Sequence, residues 1–184
     1  MDDTYNRLLT VVAASMKAIE ADYFNFRVAD EERPIERERV YCAELYHQMR
    51  QRFDSIGYCL NNEPNKKGHP IIEKLCGPVD PDFVVHRMGN MGPTDNLAVI
   101  EVKRSQGDLS GGITKDMNTI NCMGTIENGY YGGIIIVFGY LAERRRANLL
   151  ERIVGLRSPD LRRLTVFLQS GPETNPEIVE LYKR

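Results

Sequence analysis

The sequence predicts an α/β domain: a central mixed sheet with helices on both faces. Three observations lead there. Apolar residues recur at helical spacing in two N-terminal segments, short apolar runs bounded by Gly, Pro, Asn and Asp follow them, and the run Gly132-Gly133-Ile134-Ile135-Ile136-Val137-Phe138 is apolar at successive positions. An unbroken apolar run of that length belongs to a strand covered on both faces, and helices are what cover it.

Along the chain, Leu8, Val12, Met16, Ile19 and Tyr23 predict an amphipathic helix over 4–26, with Asp2 and Asp3 at its positive end. The acidic stretch before Pro34 breaks it. A second helix is expected from Pro34 to about Ile56, its stripe formed by Tyr41, Leu45, Met49, Phe53 and Ile56. The Gly-, Asn- and Pro-rich residues 57–80 read as loop around short strands or a turn of helix. Phe83-Val84-Val85 and Leu97-Ala98-Val99-Ile100, separated by a turn-rich 89–96, read as antiparallel neighbours. Helical spacing returns at Ile113, Met117 and Ile120, then the strand at 132–138, a helix over 142–156 and a strand over 164–169. The expected organisation is one domain over 1–184: an N-terminal helix (1–30), a core (36–140) and a C-terminal helix-strand extension (141–184).

Composition excludes some functions. With 24 Lys and Arg against 26 Asp and Glu, the net charge of -2 gives no global attraction for polyanions, so nucleic-acid contact needs a local patch. The start, Met1-Asp2-Asp3, lacks a signal pattern, and no apolar run approaches the roughly 20 residues needed to cross a bilayer; a cytoplasmic location and no membrane partner are expected. The four cysteines, Cys42, Cys59, Cys76 and Cys122, form no Cys-x-x-Cys pair and are expected to be buried free thiols. Cys42 and His47 lack partners at metal-binding spacing. Gly111-Gly112-Ile113-Thr114-Lys115 lacks the Gly-Lys-Ser/Thr ending of a phosphate loop.

The chemistry-bearing residues are Asp82, at the head of the first short strand, and Glu101 and Lys103, at the end of the second. Side chains two apart share a strand face, and antiparallel pairing brings Asp82 beside Glu101. Charges there are costly to bury unless paired with each other, a metal or a substrate. Two carboxylates on neighbouring strands suit Mg²⁺ or Mn²⁺, with water and phosphate oxygens filling the remaining positions.

Pro81-Asp82 followed by Glu101-Val102-Lys103 resembles the motif of the PD-(D/E)XK nuclease superfamily, of restriction-endonuclease-like fold, and the order helix, three strands, helix, strand over about 36–140 resembles its core. The resemblance implies a metal-dependent nuclease acting on DNA, with Asp82, Glu101 and Glu44 holding the metal and Lys103 serving the attacking water and transition state. Glu38, one heptad before Leu45, is the rival to Glu44. Asp116 and His86 are candidates for supporting contacts. No Gln-x-x-x-Tyr element marks the exonuclease branch. Seven arginines against three acidic residues over 141–165 offer a phosphate patch, represented by Arg144, Arg145 and Arg146, with Lys66 and Lys67 as a second. Cutting both strands of a duplex would take two sites, which a homodimer supplies. The alternative is a catalytically silent module of the same fold, for nucleic-acid binding or assembly.

Overall fold

The computed structural model describes residues 1–30, 34–64 and 71–181. Six strands run in chain order across one sheet: β1 (Cys59–Asn62), β2 (Phe83–His86), β3 (Asn96–Arg104), β4 (Gly132–Phe138), β5 (Arg163–Gln169) and β6 (Glu177–Leu181). β1, β2 and β3 pair antiparallel, β3, β4 and β5 parallel, and β6 returns antiparallel, so the sheet is mixed as the sequence predicts.

Helices cover both faces. On one lie α1 (Asp2–Lys17), α2 (Ala21–Phe24) and α3 (Glu38–Arg50), packed over Ile134, Ile136 and Phe138. On the other lie α4 (Ile72–Cys76), α5 (Leu109–Thr125) and α6 (Glu143–Leu156), over Val99, Ile135 and Val137. Alternate β4 residues thus enter different cores, which is why the strand is apolar at every position. The order α3, β1, β2, β3, α5, β4 gives the expected helix, three strands, helix, strand, with α4 inserted between β1 and β2.

The N-terminal expectations need correction. The helix expected over 4–26 splits at 18–20: Glu20 is extended, and the turn lets Met16, Ile19 and Phe24 all reach one core while Tyr23 is left exposed. The second helix starts at Glu38, not Pro34, because Ile35 exchanges both backbone hydrogen bonds with Phe26, at 2.9 Å each. It ends at Arg50, and a separate 3₁₀ turn holds Phe53–Ser55. β6 extends the sheet beyond the last expected strand. No helix among the described residues is long and apolar enough to cross a membrane.

Two of the four cysteines also differ from expectation. Cys76 of α4 and Cys122 of α5 form a disulfide, whereas Cys42 and Cys59 are free. Separation in sequence hid the pair; α4 packing on α5 brings it together. The bridge spans 46 residues, and the chain-entropy relation gives a stabilisation of about 4 kcal/mol for a loop of that size. Thiol titration of the unreduced, unfolded protein should therefore find two thiols, rising to four after reduction. Urea unfolding should show the reduced form less stable by about 2–4 kcal/mol; four thiols without reduction would contradict the pairing.

Candidate active site at the end of the central strands

Asp82 immediately precedes β2, in register with the end of β3: Phe83 pairs with Ile100, which sets Asp82 beside Glu101. Two backbone contacts hold it. The carbonyl of Asp82 accepts from the Glu63 N–H at 2.7 Å, and its Oδ2 accepts from the Val102 N–H at 2.7 Å. The Asp82 and Glu101 carboxyls interact across the strand pair, an interaction that favours the proton on Glu101. Burial raises the pKa of both, Glu101 the further, because Asp116 and Asp82 add negative charge beside it. Protonating an ordinary carboxyl at pH 7 costs about 4 kcal/mol, comparable with the several kcal/mol of burying it charged and unpaired.

Lys103 shares Glu101's strand face. Its Nζ lies 3.3 Å from Asp116 Oδ2, 3.4 Å from Glu38 Oε1 and 3.0 Å from the Val102 carbonyl. Gly112 of α5 leaves room for this, since a Cβ there would come within 3.2 Å of Lys103 Cδ. Desolvation lowers the Lys103 pKa, but Asp116, Glu38, Asp82 and Glu101 together outweigh it and raise it. The surrounding carboxyls thus favour its ammonium form. Asp116 is buried on α5, and its Oδ2 has the ion pair with Lys103 but no hydrogen bond of good geometry. Burial raises its pKa to about 7 against the pull of Lys103, so it exchanges a proton near neutrality.

The helix acid that reaches this cluster is Glu38. Glu44 instead accepts from Gln48 Nε2 at 2.7 Å, one turn along the same helix. Six residues separate the two, about two-thirds of a turn around the helix axis, so they cannot share a face. Tyr41 aligns the helix: its ring stacks on Phe138 at 3.9 Å, and its hydroxyl donates to Gln169 Oε1 at 2.8 Å. That contact brings the opening turn of α3, and with it Glu38, over the strand ends. Cys42 is buried one turn later, and burial pushes its thiol pKa up, away from the thiolate that ligation requires.

His86 is not at the site. It ends β2, four residues from Asp82, past a register shift between Val85 and His86, and its Nε2 contacts Asn61 Oδ1 at 2.9 Å. The extra residue of that shift is on β3; β2 itself pairs evenly with β1 and keeps its alternation, so His86 shares a face with Val84, and it is distance along the strand that separates it from Asp82.

The arginine patch is also divided. Arg146 is bound by Glu143 and Glu177, and Arg163 by Asp2 and Glu180. Arg145, with Arg152 and Asn148, lines a cleft of about 190 Å³ against Gly107–Ser110; Arg144 is exposed. Lys66 and Lys67 lie outside the described residues.

The sequence reading missed Glu36. Its carboxylate accepts from Ser105 Oγ at 3.3 Å and the Gln106 N–H at 3.3 Å, tying the segment before α3 to the loop after β3. A Cβ on Gly139, at φ +100°, would strike this carboxylate. No local pattern announces a contact spanning about 70 residues, and Gly139 was the trace it left.

Among the described residues, no group of three or more His, Cys, Asp or Glu side chains is arranged to hold a metal ion. Asp82 and Glu101 are turned to each other, while Asp116 and Glu38 are turned to Lys103.

The raised Asp116 pKa has a consequence for stability. A carboxyl near 3.8 when unfolded and about 7 when folded binds a proton on folding between those values. Its contribution is full below the lower value and is lost as pH rises through the upper one. Urea denaturation from pH 4 to 8 should show the wild type losing stability relative to Asp116→Asn across that window. A difference that does not vary with pH would overturn the assignment.

No protein-family model matches this chain, and no curated protein matches it. Among solved structures, that of Pyrococcus furiosus SfsA in complex with Ca²⁺ is similar at 11% identity and a TM-score of 0.37, covering 85% of this chain and 73% of that one. A likeness so remote transfers no activity to this chain.

Proposed function

We propose that the chain is a metal-dependent phosphodiesterase of the PD-(D/E)XK type, acting on DNA. The observation that carries the reading is the convergence of Asp82, Glu101 and Lys103, with Asp116 and Glu38, at one end of the sheet. The adjacent carboxyls suit a hard divalent cation, because Mg²⁺ or Mn²⁺ would offset the negative charge that burial disfavours there. One or two carboxylates with water in the other positions are enough for Mg²⁺.

Asp82 and Glu101 would hold the ion, which, when bound, lowers the pKa of a coordinated water and offsets charge on the scissile phosphate. Lys103 would keep a fixed ammonium beside the phosphate as negative charge develops there. Glu38 and Asp116 position that ammonium from opposite sides. Asp116, titrating near neutrality, is the member of the cluster suited to exchanging a proton with the water.

The test is cleavage of linear, circular and single-stranded DNA with Mn²⁺ or Mg²⁺. Glu101→Ala and Lys103→Ala should each lower the rate by about 10²–10³-fold. Glu38→Gln should lower it by about tenfold through misplacement of Lys103, while Glu44→Gln should match the wild type. Mutant rates equal to wild type would sink the assignment. Because the ion must displace protons, calorimetric Mn²⁺ affinity should rise from pH 6 to pH 8 and vanish in Asp82→Ala.

A second reading, a silent module for nucleic-acid binding or assembly, is favoured by the full pairing of Lys103 and by the lack, among the described residues, of a three-ligand group. No Mn²⁺ heat and no cleavage, with retained DNA binding, would establish it.

A further inference from the structure

Beside the acid cluster, Phe26, Arg37, Arg39, Val40 and Arg104, with Glu36 and Glu38, line a groove of about 580 Å³. We infer that this groove binds a single-stranded segment of polynucleotide, its phosphates on the three arginines and one unpaired base on the Phe26 ring. The inference deepens the phosphodiesterase reading and rests on it for the substrate class.

Charge is the first support. Arg37, Arg39 and Arg104 are exposed, and none forms an ion pair among the described residues. The two acids in the groove are turned inward: Glu36 accepts from Ser105 and Gln106, and Glu38 meets Lys103. Burial also raises the Glu36 pKa, although Arg104 favours its charge. Three cations are thus presented to solvent while the carboxylates beside them are occupied, a local basic surface in a chain of net charge -2.

The aromatic ring is the second support. Phe24 is 2% exposed and Phe26 is 37% exposed. The Phe26 backbone is clamped to Ile35 through both its N–H and its carbonyl, so an apolar ring is fixed at the groove rather than left to find the core. Rings among guanidinium groups are the elements of sequence-tolerant single-strand binding. A duplex keeps its base faces stacked and offers none to such a ring, which separates this surface from a duplex-backbone patch. The groove also adjoins Lys103 through Glu38, so a strand lying in it passes the acid cluster.

The test is fluorescence anisotropy with an oligothymidylate of about 12 nucleotides and a duplex of equal length, in EDTA so that binding is read apart from cleavage. Phe26→Ala should weaken oligothymidylate binding by about tenfold or more, Phe26→Tyr should restore it, and duplex binding should be unchanged. Arg37→Gln, Arg39→Gln and Arg104→Gln should each weaken binding and lower the salt slope by about 0.7. Wild-type affinity in Phe26→Ala, or an equal loss on duplex, would overturn the inference. Phe26-dependent binding without any metal-dependent cleavage would sink the hydrolase reading and leave the groove standing. Cleavage that Glu101→Ala abolishes, with binding indifferent to Phe26, would do the reverse.

Discussion

The ammonium of Lys103 sits at the end of the central strand among four carboxyl groups, and the arrangement around it depends on that charge. Two carboxylates, Asp116 and Glu38, come from helices on opposite faces of the sheet and meet only there. The other two, Asp82 and Glu101, lie side by side; burial favours the protonated form of both, and the charges of Asp116 and Asp82 add to this at Glu101. Without the ammonium, the buried Asp116 would lose its ion-pair partner, and stranding one buried charge in this way costs about 3–5 kcal/mol. Lys103 therefore joins the two layers electrostatically.

Hydrophobic packing supplies the precision that charge lacks. Tyr41 on Phe138 sets where α3 begins, Gln169 accepts from Tyr41 and donates to the Met16 carbonyl, and one contact chain thereby locks α1, α3, β4 and β5. The parallel strands β3, β4 and β5 end together, so this locked edge is where the acids, the Glu36 clasp and the arginine groove gather. The disulfide between α4 and α5 is on the opposite layer from α3, bracing the helix that carries Asp116.

Much of the fold was legible because its signals are local. The unbroken apolar run 132–138, the helix 142–156 and the alternation that sets Glu101 and Lys103 on one face depend only on residue type and spacing. Asp82, Glu101 and Lys103 follow from one antiparallel register, and Asp116 from helical spacing after β3. Glu44 and His86 failed for different reasons. Choosing between Glu38 and Glu44 requires the rotation of α3, which Tyr41 decides through contacts with β4 and β5. His86 shares the face of Val84 as strand alternation requires, but it ends β2 four residues from Asp82, where its Nε2 meets Asn61.

By itself, then, the sequence determined the mixed sheet, the strand-borne Asp82, Glu101 and Lys103, and the absence of a global charge for polyanions, since these depend on composition and short-range periodicity. Tertiary structure alone decided that Glu38 closes the cluster, that Cys76 meets Cys122, that Arg146 is bound to acids while Arg37, Arg39 and Arg104 are open, and that Phe26 stays outside the core. Each of these depends on which distant surfaces meet. A charge or a thiol in a sequence carries no mark of the partner that folding will place against it.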